Sequence, residues 1–290
     1  MAMDNKPAEG DLSVRFWGVR GSHPVSGLDV CAFGGHTACV EVRCGERLFV
    51  IDAGTGITRL GQALGADAPA QIDLLLSHLH LDHVIGLPFF RPALMKGTTL
   101  RLYCGNLGGE TAEVALDRLF APPLFPVKLA QLPATIEHVG FHAGETLTFD
   151  DGVEVRTCPL QHPSGATAYR FDHRGRSVCY VSDIEHDELG PWPHEELLAF
   201  VRDADLVIYD AMYTEAEYCR CRGWGHSTCD AGVALCRAAG VGRLAAFHLH
   251  PWHTDADLAD MERRLDMMMP GSFVAREGQE IHLAAARAAA

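Results

Sequence analysis

Residues 72–83 read Ile-Asp-Leu-Leu-Leu-Ser-His-Leu-His-Leu-Asp-His and carry the strongest signal in the chain. The apolar run at their start predicts a short buried strand, and four potential metal ligands follow it within six residues. In an extended backbone, residues two apart project to the same side, so His78, His80 and Asp82 converge. A turn into the next segment brings His83 to the same place. The stretch therefore predicts a metal site at the carboxyl end of a strand, with ligands enough in one loop to serve two ions.

Three later positions offer further ligands, and each lies where a predicted strand stops. They are His162 in Leu-Gln-His-Pro, Asp183 after Tyr-Val-Ser, and His248 after Ala-Phe. A single histidine or turn aspartate of this kind is more often structural, but the order of the three along the chain favours ligands. Imidazole and carboxylate ligands suit zinc, manganese or iron, and a catalytic site leaves one coordination position for water.

Hydrophobic periodicity predicts a strand-rich opening, then alternating strands and helices, then a second half of the same kind. Strands are predicted at 13–19, 38–42, 48–51, 72–76, 146–149, 153–158, 166–171, 177–182, 206–209 and 243–248. Helices are predicted at 57–64, 110–120, 194–202, 228–239 and 255–268. Two sheet-rich halves that each end in helices predict an α/β fold with two sheets face to face and helices outside. We expect one domain over 13–290, preceded by a disordered tail at 1–12.

The composition is that of a globular protein, with 290 residues, 48% of them hydrophobic and 21% charged. The formal net charge of −14 argues against general nucleic-acid binding, which needs a basic surface. No apolar run approaches the roughly 18 residues of a membrane helix, and residues 1–12 do not read as an export signal, so we expect a cytoplasmic protein without membrane association. The ten cysteines are then expected to be reduced thiols or metal ligands rather than disulfides.

Three further motifs, together with the ligands, point to one family. They are Phe-Trp-Gly-Val-Arg-Gly-Ser at 16–22, Asp-Ala-Gly-Thr-Gly at 52–56 and Gly-His-Ser-Thr at 225–228. With His-x-His-x-Asp-His at 78–83, they make the chain resemble the metallo-β-lactamase-fold hydrolases over residues 13–260. The three motifs are similar to those of the phosphodiesterase branch, which holds ribonuclease Z and phosphoribosyl cyclic phosphate phosphodiesterase. The resemblance implies a four-layer αββα sandwich.

The resemblance also implies the ligands of a centre with two divalent metal ions. One ion would be held by His78, His80 and His162, the second by Asp82, His83 and His248, and Asp183 would bridge both. Zinc is the expected metal, with manganese or iron as alternatives. Asp82 is also a predicted catalytic residue, because it would orient a hydroxide held between the ions. Asp52 would orient a ligand histidine or serve only its own turn.

His226 is the other predicted catalytic residue. A histidine opposite the nucleophile can protonate the leaving oxygen of a phosphodiester. Ser227 and Thr228 predict the N-cap of the following helix, and a helix N-terminus favours bound phosphate. The alternative is a His226 that only caps or packs.

These observations predict a binuclear metal-dependent phosphodiesterase that hydrolyses a small phosphodiester, such as a cyclic nucleotide or a ribose cyclic phosphate, with a metal-bridging hydroxide. Processing of tRNA 3′ ends is an alternative, but we would expect a basic glycine-rich arm for it, and the chain has only three lysines. A second alternative is a metal-dependent lactone or thioester hydrolase, which would not need His226. A third is a sensor or scaffold, which would bind the metal without turnover. Relatives of this branch are often dimers, so the resemblance implies a homodimer.

Two sets of residues stay open. Cys219, Cys221 and Cys229 could form an extra metal or redox site, or they are free thiols. His36, His250 and His253 have no assigned role. We select His248 rather than its two neighbours as the last ligand because it ends a strand.

Overall fold

The structure, a computed structural model, describes residues 11–105, 109–186 and 190–285. The first ten residues of the predicted tail lie outside that range, and Leu12, its last residue, already begins the first strand. In the described residues, strands and helices form two seven-stranded sheets with helices on their outer faces.

The first sheet contains strands from the first half of the chain and the last strand. Its members are β1 Leu12–Gly18, β2 Cys39–Cys44, β3 Arg47–Ile51, β4 Gln71–Leu76, β5 Thr99–Cys104, β6 Thr135–Gly140 and β14 Glu280–Leu283. They lie in the order β14-β1-β2-β3-β4-β5-β6. Pairing is antiparallel from β14 to β3 and parallel from β3 to β6.

The second sheet repeats this plan with strands from the second half. Its members are β7 Thr146–Thr148, β8 Glu154–Leu160, β9 Ala166–His173, β10 Arg176–Val181, β11 Leu206–Asp210, β12 Arg243–Phe247 and β13 Phe273–Val274. They lie in the order β13-β12-β11-β10-β9-β8-β7, antiparallel from β7 to β10 and parallel from β10 to β13. Parallel strands end at the same edge of a sheet, so the loops after β10, β11 and β12 are neighbours.

Five helices pack on the sheets, namely α1 Ile57–Leu64, α3 Ala112–Leu119, α4 Glu195–Val201, α6 Cys229–Ala238 and α7 Asp255–Met268. The single turn α2 Leu81–Val84 lies in the loop after β4, and α5 Glu215–Cys221 follows β11. The hydroxyl of Thr228 accepts a hydrogen bond from the Ala231 amide at 3.1 Å, so the predicted N-cap of α6 is confirmed.

The main core lies between the two sheets. Phe49 of the first sheet packs against Phe171 of the second with ring centroids 5.3 Å apart, and Phe16 meets Phe247 at 6.1 Å. A second buried cluster fills the space between the first sheet and its helices and includes Leu60. Helix, sheet, sheet and helix therefore stack in four layers, and the predicted αββα sandwich is confirmed.

Some elements were not predicted. The sequence-based prediction omits β5, β6, α5 and the short strands β13 and β14. β6 lies at a sheet edge with much of its surface exposed, so its residues lack the apolar run that marks a buried strand. All ten cysteines are free. No helix of the described residues has the length and apolarity needed to span a membrane.

Candidate metal centre

The predicted ligands all lie at the ends of strands or in the loops that follow, on one edge of the sandwich. His78 and His80 follow β4 and precede α2, which carries Asp82 and His83; His162, Asp183 and His248 follow β8, β10 and β12. The apolar residues of these strands are fixed in the core. The polar residues that follow each strand therefore lie at this edge.

The structure brings the ligands together in the two predicted groups. In the first, Nε2 of His162 lies 3.0 Å from Nδ1 of His80, and these two ligand atoms and one of His78 are all within 4.8 Å of one another. In the second, Nε2 of His248 lies 3.1 Å from Nε2 of His83 and 3.2 Å from Oδ2 of Asp82.

Asp183 lies between the two groups. Its Oδ1 is 3.9 Å from Nε2 of His78 and 3.8 Å from Nε2 of His162 in the first group. In the second group, the same oxygen is 3.4 Å from Nε2 of His248, and Oδ2 is 3.3 Å from Nε2 of His83. One buried carboxylate thus reaches both groups, which is the position that a bridging ligand needs.

Three of the predicted ligands have protonation states that fit a metal site. Burial lowers the pKa of His78 far below its usual value and that of His162 to about 4, so both imidazoles are neutral. The pKa of Asp82 is lowered because nearby His83 and His248 outweigh the effect of burial, and the carboxylate stays ionised. Neutral imidazoles and ionised carboxylates are the states that bind metal ions.

Two further features of the ligand groups indicate a cation-binding site. Nε2 of His78 is buried and has no hydrogen-bond partner. Burial by itself would lower the pKa of His83, yet Asp183, Asp82 and Asp52 raise it well above its usual value. The carboxylates therefore stabilise positive charge here, and divalent metal ions between the two ligand groups would supply it.

Asp52 orients one of these histidines. One of its oxygens, Oδ2, accepts hydrogen bonds from Nδ1 of His83 at 2.8 Å and from the hydroxyl of Tyr180 at 2.7 Å. Its other oxygen accepts the Ser77 amide at 2.7 Å. The carboxylate fixes the ring of His83 so that Nε2 faces the second ligand group. The role of Asp52 is therefore not limited to stabilising the turn in which it lies.

Three residues of the centre have left-handed backbones. The φ angles are 60° at Asp52, 62° at Asp183 and 55° at His248. Non-glycine residues rarely adopt this conformation, which is found at functional sites where the surrounding structure enforces it. Gly21 provides space for the last of them, because a Cβ at that position would lie 2.4 Å from the His248 ring.

His226 lies beside the ligands and is held by a residue that was not predicted. Its Nδ1 is 2.9 Å from Oδ2 of Asp210, the last residue of β11, and 3.7 Å from Oδ1 of Asp183. Burial lowers the pKa of His226, but Asp210, Asp183 and Asp82 outweigh it and raise the pKa to about 9. The sequence held one signal for Asp210: like Asp183, it directly follows a predicted apolar strand.

Glu185 is a second residue that was missed. Its fully buried carboxylate accepts the hydroxyl of Tyr218 and the amides of Gly223 and Gly225, at 2.9 and 3.0 Å for the amides. The carbonyl of Gly225 in turn accepts Nδ1–H of His162 at 2.7 Å. Glu185 therefore fixes the turn that orients one ligand histidine and precedes His226.

The open residues take different places. Nδ1 of His36 lies 3.2 Å from Oγ1 of Thr55, outside the ligand groups. His250 and His253 line a neighbouring cavity. Within the described part of the chain, Cys219, Cys221 and Cys229 do not meet in a group of metal-ligating atoms. Burial raises the pKa of Cys229 to about 12, so it is a thiol.

Known proteins resemble this chain over most of its length. It is 25% identical to ribonuclease Z of Gemmatimonas aurantiaca, with 94% of this chain and 96% of that protein aligned, and 27% identical to ribonuclease Z of Mycobacterium avium, with 83% and 89% aligned. A diphosphatase of the PhnP family superposes with a TM-score of 0.70 at 20% identity, covering 94% of this chain and 98% of that one. The short form of human tRNase Z superposes at 0.65 and 18% identity, covering 93% and 98%.

A family match accompanies these similarities. Residues 47–249 match the family described as beta-lactamase superfamily domain. The matched segment contains the seven predicted ligands as well as Asp52, Asp210 and His226. The chain therefore belongs to the β-lactamase superfamily, and it is a hydrolase that uses divalent metal ions.

Proposed function

We propose that this hydrolase is a phosphodiesterase with two metal ions, and that it acts on a small phosphodiester such as a cyclic nucleotide or a ribose cyclic phosphate. The observation that carries the proposal is Asp183, whose carboxylate lies between two ligand groups, with His226 held beside it by Asp210. Ribonuclease Z relatives support hydrolysis of a phosphodiester, and a diphosphatase among the structural neighbours supports hydrolysis at phosphorus. Zinc is the proposed metal, with manganese or iron as alternatives.

When bound, two divalent ions supply a nucleophile at neutral pH and neutralise charge on a phosphoryl oxygen. Asp82 is fixed in this setting, because its Oδ2 accepts the amide of Ser22 at 2.7 Å as well as facing His83 and His248. A carboxylate so constrained can bind metal and orient the attacking water at the same time.

His226 supplies the proton for the leaving oxygen. Because Nδ1 faces Asp210, Nε2 is the ring nitrogen left to carry that proton. The carboxylate of Asp210, which contacts Nδ1, stabilises the protonated form of the ring. A helix N-terminus follows directly, and its amides favour phosphate nearby.

The test is hydrolysis of bis(p-nitrophenyl) phosphate by protein loaded with zinc or with manganese. We expect turnover by the parent protein, loss of turnover with loss of metal in Asp82→Ala, and loss of turnover with metal retained in His226→Ala. His142→Ala is the matched control, because that side chain is 94% exposed and belongs to neither ligand group. No turnover with either metal, despite two bound ions per chain, would contradict the proposal and direct the search to lactones and thioesters.

Processing of tRNA 3′ ends is the second candidate. Two relatives named ribonuclease Z align over most of their length, which favours this substrate. Among the described residues, no lysine- or arginine-rich insertion resembles the basic arm expected for gripping tRNA. Cleavage of a precursor tRNA carrying a 3′ trailer, at a rate far above that on cyclic nucleotides, would select the second candidate.

A further inference from the structure

A cavity of about 440 Å³ lies next to His226, outside the metal centre. Tyr213 belongs to both places, because its ring lines the cavity and meets the ring of His226 with centroids 6.0 Å apart. The volume is within the range of pockets that hold small molecules. The cavity is therefore one aromatic ring away from His226.

Aromatic rings form one wall of the cavity. The ring of His250 lies 5.8 Å from that of Tyr213 and 5.4 Å from that of Trp252. Trp252 is 80% exposed, so the core does not account for its position. Ring faces of this kind stack on planar groups, above all on nucleic-acid bases.

The remaining wall is rich in hydrogen-bond acceptors. The acidic residues Glu217, Asp230, Asp257 and Asp260 line the cavity, and Arg264, the one lysine or arginine among its described lining residues, pairs with Asp230 at 3.4 Å. Such a surface repels a second phosphate and favours a group that carries N–H donors.

One lining residue has an unused acceptor. Nε2 of His253 lies 3.1 Å from Oε1 of Glu217, whereas its Nδ1 is buried and has no partner. Only 8% of the residue is exposed. In the neutral tautomer that donates through Nε2, Nδ1 is an acceptor. A ligand with an N–H donor would supply its missing hydrogen bond.

We propose that this cavity is a base-recognition subsite, which binds the planar, amino-bearing base of a nucleotide whose phosphodiester lies at the metal centre. The inference rests on the proposed phosphodiesterase function and narrows its substrate class. Cytosine and uracil have the same size and differ at N3 and C4: cytosine carries an acceptor at N3 and an amino group with two hydrogens at C4, whereas uracil carries one N–H at N3 and a carbonyl at C4. The acceptor-rich cavity favours cytosine, which offers two N–H hydrogens where uracil offers one.

The test is calorimetric titration of the metal-loaded protein with cytidine 3′-monophosphate and with uridine 3′-monophosphate. The titration is run at pH 8. We expect the cytidine nucleotide to bind about tenfold more tightly, because uracil offers the acceptors of the cavity one N–H hydrogen fewer than cytosine does. Equal affinities, or affinities no greater than that of inorganic phosphate, would overturn the proposal.

Two variants test the aromatic wall of the cavity and the Nδ1 acceptor of His253 separately. His253→Phe keeps a ring but lacks Nδ1, so the preference for cytidine should disappear. Trp252→Ala removes a stacking surface without disturbing the core, so both nucleotides should bind more weakly. Met267→Ala is the control, since Met267 is also exposed but does not line the cavity. Equal weakening in both variants would count against the subsite.

Binding and turnover are measured independently, so the two hypotheses can fail separately. Hydrolysis of bis(p-nitrophenyl) phosphate together with equal binding of the two nucleotides would leave the phosphodiesterase function in place and reject the subsite. Selective cytidine binding without turnover of any phosphodiester would reject the function and retain the subsite.

Discussion

Nδ1 of His226 lies 2.9 Å from Oδ2 of Asp210, which ends β11. The carboxylate also accepts the amides of Met212 at 3.0 Å and Ile184 at 3.3 Å, so it cannot turn away from the ring. Two residues that are 16 positions apart in sequence thus form one unit beside the metal ligands.

This contact predicts the effect of Asp210→Asn. The amide cannot stabilise a protonated His226 as a carboxylate does, so kcat should fall about 10²- to 10⁴-fold, with a smaller change in KM. Steady-state kinetics on bis(p-nitrophenyl) phosphate measure both constants. Asp205→Asn is the matched control, because Asp205 lies just before the other end of β11 and pairs with Arg176. An Asp210→Asn enzyme with the parent kcat would contradict the role of Asp210.

Asp52→Asn should weaken metal binding. The carboxylate sets the orientation of the His83 ring, and loss of such a partner typically costs about 10- to 100-fold in metal affinity. Competition with a chromogenic chelator measures the change. Tyr180→Phe removes only one of the hydrogen bonds to Asp52 and should give a smaller loss. Unchanged affinity in Asp52→Asn would show that packing alone holds His83.

Removal of the metal should destabilise the fold. Asp82 and Asp183 are both buried and ionised, so chelation removes the cations that would neutralise them. Because these ions bind the folded state and not the unfolded chain, their removal lowers the stability of the fold. Differential scanning fluorimetry should show a lower Tm with a chelator, and recovery after zinc or manganese is returned. A constant Tm in protein shown to be metal-free would refute this expectation.

The ion pair between Glu262 and Arg276 predicts a pH dependence of stability. Burial raises the pKa of Glu262, but two hydrogen bonds from Arg276, at 2.7 and 2.5 Å, outweigh it and lower the pKa. A depressed pKa stabilises the fold above the unfolded value near 4.3, and that contribution is lost as the pH falls through the folded pKa.

The parent protein should therefore be more stable than Glu262→Gln at pH 7, by about 1 kcal/mol at most for so exposed a pair. The difference should shrink below about pH 4. Urea unfolding of both proteins at pH 7 and pH 3.5 gives the two values. A difference that does not change with pH would mean that the pair acts through packing.

Much of the fold was predictable because it depends on local patterns. The helix predicted at 57–64 spans Ile57–Leu64, and the strand predicted at 72–76 belongs to Gln71–Leu76. Apolar periodicity reports burial of one face, and both elements bury theirs. β6, a largely exposed edge strand, buries little and left no such pattern.

By itself, the sequence determined the two-sheet class and the cluster of ligands after β4, because a strand and the loop after it are adjacent along the chain. Only the tertiary structure decided which residues support that cluster. Glu185 and Gly225 are 40 positions apart, and Asp52 and Tyr180 are 128 apart. Such pairs depend on which strands end side by side at the same edge of the two sheets. Strand order arises from packing of the whole chain, so the contact of Asp210 with His226, the role of Glu185 and the cavity beside His226 could be found only in the folded molecule.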